Sequence, residues 1–172
     1  EGPQGPRITI NGKKVINLCS NDYLGLANHP EVKKAMMEAV EVYGSGAGAS
    51  RLIAGNMEPH RQLEERIKKF KKVEAALVFN SGYNANIGVI TTLAGRDAEI
   101  FSDKLNHASI VDACLLSRAV FKRFPSRDAD ALERLLKRSK AKKKLIVTEG
   151  VFSMDGTIAP LNDYAGLLDR YN

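Results

Sequence analysis

No apolar run in the sequence approaches the about eighteen residues that a membrane-spanning helix needs, which excludes such a span. The opening Glu1-Gly2-Pro3-Gln4-Gly5-Pro6 has neither a basic start nor an apolar stretch, so no signal peptide is visible. Cysteine is scarce. Cys19 and Cys114 are far apart and form no CxxC pattern, so they read as two free thiols in a reducing compartment, the cytoplasm. The histidines, His29, His60 and His107, stand at no zinc-binding spacing, and no metal site is expected. P-loop, GxSxG and HExxH motifs are absent, as are internal repeats, low-complexity tracts and linkers. The net charge of +6 is modest and gathers in Arg66 to Lys72 and Lys137 to Lys144. Without interleaved aromatics or a nucleic-acid motif, these stretches read as solvated helix faces, and neither nucleic acid nor membrane is expected as a partner.

What is present is the composition of an ordinary globular protein: 172 residues, 44% apolar and 27% charged, enough for a sizeable core in one domain or at most two small ones. Arg7-Ile8-Thr9-Ile10 and Val15-Ile16-Asn17-Leu18 flank Asn11-Gly12, the favoured pair for a type I′ hairpin turn. A helix is expected from Pro30, capped by Asn28 or His29, to Gly44, and a second from about Glu58 to Lys71. The glycine-rich loop Gly44 to Arg51 lies between them. It follows a helix and does not fit GxGxxG, so a dinucleotide reading fails its context.

The pattern then alternates. Strands are expected at Ala75–Phe79, Glu99–Phe101, Val120–Phe124 and Leu145–Thr148. Helices are expected at about Asn84–Leu93, Ser109–Leu116, from Asp128 through Leu136, and from an Asn162 cap through Tyr171. Alternation of this kind predicts an α/β fold with an open, mostly parallel sheet and flanking helices. A crossover helix ordinarily delivers another parallel strand, yet the sequence stops at Asn172, so the chain is expected to be a piece of something longer or to be completed by another chain.

Ligands in open α/β sheets bind beyond the carboxyl ends of strands, so the residues that follow each strand are the candidates. After Phe79, Asn80-Ser81-Gly82-Tyr83 opens a helix. Free backbone amides and the positive end of the helix dipole make that turn a phosphate site, Gly82 permits close approach, and Tyr83 is placed to lie against a flat ring. An ordinary strand-to-helix turn is the alternative. After Phe101, His107 stands just before a helix, suited to stacking on an aromatic cofactor or exchanging a proton, or simply to capping that helix. After Thr148, the loop carries Glu149, Ser153 and Asp155, with Asp155-Gly156 also readable as a turn pair. The three loops follow three strands and are expected to share one rim.

Asn21-Asp22-Tyr23-Leu24-Gly25-Leu26, GSGAGASRLIAGN from Gly44 to Asn56, FNSGYNAN from Phe79 to Asn86, SDKLNHASIVD from Ser102 to Asp112 and TEGVFSMDG from Thr148 to Gly156 together resemble the α-oxoamine synthases, fold-type I enzymes that use pyridoxal 5′-phosphate (PLP). The resemblance covers almost the whole chain. It implies residues 1–43 as an N-terminal hairpin and helix segment and 44–172 as the first part of the large PLP-binding domain. GSGAGASRL and FNSGYNAN look most like the branch that condenses L-alanine with a pimeloyl thioester of coenzyme A or a carrier protein, releasing CO₂. The branch that acylates glycine with acetyl-CoA is the alternative, and a non-catalytic anion- or protein-binding module is the alternative of another class.

By the same resemblance, Gly82 and Tyr83 contact PLP through the turn, His107 stacks on its ring beside the substrate, Ser153 contacts the cofactor, and Asn21 and Glu149 lie near the site. The Gly46 to Ser50 loop resembles one that approaches the active site across a homodimer interface. The family's Schiff-base lysine and its acid opposite the pyridine nitrogen are expected after Asn172, in the remaining half of the polypeptide. Lys104 lies in a motif where the family has no such role. Alone, the chain is expected to be inactive.

Overall fold

The computed structural model of the chain describes residues 1–171, which fall into two compact units divided after Ala75. The first opens with a hairpin of β1 (Arg7–Ile10) and β2 (Lys13–Ile16), paired from Arg7 opposite Ile16 to Ile10 opposite Lys13. Asn11 and Gly12 have φ of 49° and 74°, as a type I′ turn demands of both central residues. The two-residue turn sets Lys13 directly opposite Ile10, so the second strand lies two residues earlier than the expected Val15–Leu18.

Helix α1 (Pro30–Tyr43) starts with proline in its first turn, is capped by His29 and stops at Gly44, whose φ of 76° ends the helix cheaply. Helix α2 (Glu58–Lys71) follows. Between them the expected loop contains one wide helical turn, Arg51–Gly55. Gly55 is buried there, and a Cβ would sit 1.8 Å from the Ala49 carbonyl oxygen, so only glycine closes this turn.

The second unit is built on a three-stranded parallel sheet in the order β4-β3-β5, comprising β3 (Ala98–Asp103), β4 (Val120–Phe124) and β5 (Lys143–Val147). Successive side chains of a strand face opposite ways. Ile100 and Phe101 of central β3 therefore seed separate cores, both fully buried. Ile100 packs with Ile90 of α3 (Gly82–Leu93), with Ala94 just after it, and with Ala113 and Cys114 of α4 (Ala108–Leu116). Phe101 packs with Phe124, Leu132, Leu136, Phe152 and Leu167, drawing in α5 (Ala129–Arg138) and α6 (Leu161–Tyr171). Phe124 and Tyr164 meet edge to face at 5.8 Å. Burial of one such phenyl ring contributes about 1.5–3 kcal/mol.

Three local expectations are corrected. Residues 75–79 join neither sheet, and Leu77 is exposed. The run pairs with neither outer edge of the β4-β3-β5 sheet, and apolarity alone does not supply a ladder. Helix α3 begins at Gly82 rather than Asn84, because Ser81 takes the cap. Asn162 is inside α6 rather than capping it; the Pro160 carbonyl accepts from the Asp163 and Tyr164 amides and so starts the helix two residues earlier. No helix among the described residues is long and apolar enough to cross a membrane.

Candidate functional site

The parallel register brings the carboxyl ends of β3, β4 and β5 together, and the loops leaving them are tied by buried polar side chains. Asp103, fully buried at the end of β3, accepts from the Leu105 amide at 2.8 Å, from Ser126 Oγ at 3.2 Å and from the Arg127 amide at 3.0 Å. It thereby joins the loops after β3 and β4. Asn106 donates from Nδ2 to Ser102 Oγ and to the Val147 carbonyl, both at 2.8 Å, and joins the loop after β3 to the last residue of β5. Its Oδ1 is buried without a partner among the described residues. Neither residue stood out in the sequence, although an Asp at a strand end just before a polar loop is a recognisable turn-forming signal.

Ser81 shapes the turn into α3. Its backbone is extended, at φ −158° and ψ 156°, and its Oγ accepts from the Asn84 amide at 3.1 Å. The amides of Gly82 and Tyr83, first in the helix, have no acceptor among the described residues. Two orphan donors at the positive end of a helix dipole constitute an anion-binding position. The first turns of α3 are fastened to α4: Tyr83 donates its hydroxyl to Asp112 Oδ2 at 3.2 Å, and Asn86 Nδ2 donates to Ser109 Oγ at 2.8 Å. The Asp112 charge, with that hydrogen bond and partial burial, raises the Tyr83 phenol above its ordinary pKa. Tyr83 is thus a neutral, half-exposed ring tethered towards α4.

His107 is the cap of α4, so the plainer expectation for it holds. Its Nδ1 accepts from the Ser109 amide at 3.1 Å and lies 2.8 Å from Ser109 Oγ. Capping uses one edge of the ring only, and Nε2 has no partner among the described residues. The His107 amide donates to Glu149 Oε1, which clasps the loop after β5 to the start of α4. Gly82, Tyr83, His107 and Glu149 are therefore connected through α3, α4 and the loop after β5.

Ser153 is not bonded into this group. It is exposed on a loop anchored by buried Phe152, whose amide donates to the Thr157 carbonyl at 2.8 Å; Gly156, at φ 66°, makes the turn expected of Asp155-Gly156. Asn21 lies in the first unit, where its Oδ1 accepts from Tyr23 at 3.3 Å. Among the described residues, no cluster of His, Cys, Asp and Glu could hold a metal ion.

This arrangement can be set against known proteins. Residues 13–172 match the family described as aminotransferase class I and II. The chain belongs to that family. It is 60% identical over 171 residues to an 8-amino-7-oxononanoate synthase of Geobacter sulfurreducens and 57% identical over 172 residues to one of Citrifermentans bemidjiense. Each match covers 99% of this chain and 44% of the relative, so the chain spans less than half the length of these relatives.

Among solved structures, serine palmitoyltransferase of Sphingomonas wittichii superposes with a TM-score of 0.94 at 39% identity, over 97% of this chain and 42% of that one. A serine palmitoyltransferase variant from S. paucimobilis with bound PLP–myriocin aldimine superposes equally well, at 36% identity, with the same coverage. The 8-amino-7-oxononanoate synthase of Francisella tularensis gives 0.72 at 32% identity, over 87% and 41% of the two chains. These likenesses bear out the α-oxoamine synthase resemblance and the fold-type I architecture, here part of a parallel sheet with flanking helices.

Proposed function

We propose that the whole protein is a PLP-dependent acyltransferase that condenses L-alanine with pimeloyl-CoA, or a pimeloyl carrier protein, to give 8-amino-7-oxononanoate and CO₂ in biotin biosynthesis. The observation that carries the cofactor reading is the pairing of two amides, Gly82 and Tyr83, without acceptors among the described residues, with a capping histidine on the adjacent helix whose Nε2 likewise has no partner among them; the 60% identity to an 8-amino-7-oxononanoate synthase supports the choice of substrates.

The residues present fit the cofactor. Gly82 does not have a left-handed backbone, and a Cβ there would meet nothing within 4 Å, so neither strain nor crowding explains the glycine. Open space over two free amides suits the phosphate of PLP. PLP, when bound, supplies the electron sink for a carbanion at the amino-acid α-carbon.

The chain's own residues do the rest. The Gly82 and Tyr83 amides hold the phosphate. His107 covers the ring and borders the substrate. Glu149 fixes the loop that carries His107, Ser153 adds a polar contact to the cofactor, and Asn21 borders the substrate. Residues 44–172 are the first part of the large cofactor-binding domain. The Schiff-base lysine and the acid facing the pyridine nitrogen belong to the portion of the relatives' length that this chain does not match, and the working assembly is a cytoplasmic homodimer.

The test is turnover by the intact protein with L-alanine or glycine, each offered with pimeloyl or acetyl thioester, following CO₂ and free thiol. Alanine with the pimeloyl thioester is expected to react fastest. Preference for glycine with acetyl-CoA would replace this reading by the glycine-acylating branch, and failure to bind PLP would overturn it.

A further inference from the structure

The chain contains its own comparison for His107. His29 also caps a helix through Nδ1, accepting from the amide two residues on, Glu31, at 3.3 Å, and no side chain joins in. His107 makes the same backbone contact to Ser109, yet Ser109 Oγ also stands 2.8 Å from Nδ1, and Asn86 Nδ2 donates to that oxygen at 2.8 Å from the neighbouring helix. Ser109 is 3% exposed, so its end of these part-buried bonds is withdrawn from water. A helix cap needs neither of them.

The donor and acceptor inventory fixes their direction. The amide nitrogen of Asn86 can only donate, so Ser109 Oγ accepts there and its own proton is available for Nδ1. The Ser109 backbone N–H points at Nδ1 as well. Two donors converge on one ring nitrogen, which must be the unprotonated one. In the neutral ring the proton is therefore on Nε2, the nitrogen with no partner among the described residues.

We infer that Ser109 and Asn86 are positioning residues for His107: the chain Asn86 Nδ2 to Ser109 Oγ to His107 Nδ1 holds the imidazole in one orientation and one tautomer, with Nε2–H as its free donor. The relevance of that donor to catalysis rests on the proposed PLP site. The tautomer itself does not, because α3 and α4 alone set it.

The experiment is a two-bond proton–nitrogen correlation spectrum of the intact protein labelled with [¹⁵N]histidine, recorded without added PLP. His107 is expected to show the Nε2–H pattern alone, while His29, biased the same way by a single exposed cap bond of 3.3 Å, shows that pattern mixed with a fraction of the other tautomer. Ser109→Ala keeps only the backbone cap bond and is expected to move His107 to the mixed pattern of His29. Ser109→Thr, which keeps the hydroxyl, is expected to restore the single pattern. Asn86→Ala gives a second route to the same loss without altering the residue whose amide is capped, and an unchanged, cooperative thermal melt reports that each variant is folded. An Nδ1–H pattern in the unaltered protein, or a single Nε2–H pattern surviving both Ser109→Ala and Asn86→Ala, would overturn the inference. Failure of the unaltered protein to bind PLP in a separate titration would refute the proposed function and leave the tautomer result standing.

Discussion

Replacing His107 in two different ways separates its two jobs. Its Nδ1 caps α4 by accepting from the Ser109 amide, and loss of such a cap to alanine costs about 1 kcal/mol. That corresponds to a fall of about 2–4 °C in Tm for 150–250 residues, and to correspondingly less in an intact protein as long as the relatives, of which this chain covers 44%. Asparagine is among the best cap residues, so His107→Asn keeps the cap and is expected to stay within a few tenths of a kcal/mol of the unaltered protein. Both variants remove the imidazole. If the ring stacks on the cofactor, each loses about 1 kcal/mol of that contact, close to fivefold in Kd for PLP. Thermal denaturation of the intact protein reads the first effect and equilibrium dialysis against PLP the second. The reasoning is refuted if His107→Asn loses as much stability as His107→Ala, or if both bind PLP as tightly as the parent.

Gly82→Ala enters open space in a helical backbone and is expected to leave Tm unchanged or slightly higher, while weakening PLP binding because the methyl group occupies the phosphate position; unaltered affinity in a PLP titration would count against that position. Cys19 is exposed and Cys114 buried, with burial pushing the Cys114 thiol up to about 11, so alkylation followed by peptide mapping should label Cys19 in the native protein and Cys114 only after denaturation. Glu133 is held below the usual carboxylate range by the Tyr171 hydroxyl and by Arg170 and Lys137, outweighing its partial burial. A depressed folded pKa contributes stability above the unfolded value of about 4.3 that disappears as pH falls through the folded one, so Glu133→Gln is expected to flatten the acid limb of stability against pH, measured by urea denaturation.

Local chemistry with a single solution was legible in the sequence. Asn11-Gly12 specified its turn, Asp128 capped α5, and the βαβ alternation predicted the parallel sheet. What depends on distant neighbours was not. Residues 75–79 have the composition of a buried strand, but a strand also needs a partner's ladder, and the run pairs with neither outer edge of the sheet. The wide turn ending at Gly55 depends on a close approach to the Ala49 carbonyl that no spacing pattern announces. In the site, His107 could be read as cap or cofactor residue from its position alone, and only the geometry shows that capping leaves Nε2 without a partner among the described residues. Asn106 and Asp103 escaped notice because their partners, Val147 and Arg127, are 41 and 24 residues away in sequence.

The most direct test of the PLP site is to follow the Gly82 and Tyr83 amide resonances of the intact protein during titration with PLP. If the cofactor phosphate sits on these two orphan donors, both signals move together, with the same Kd as the appearance of bound cofactor, and inorganic phosphate competes. If PLP binds and both amides stay where they are, the cofactor is held elsewhere and the site described here is not its phosphate anchor.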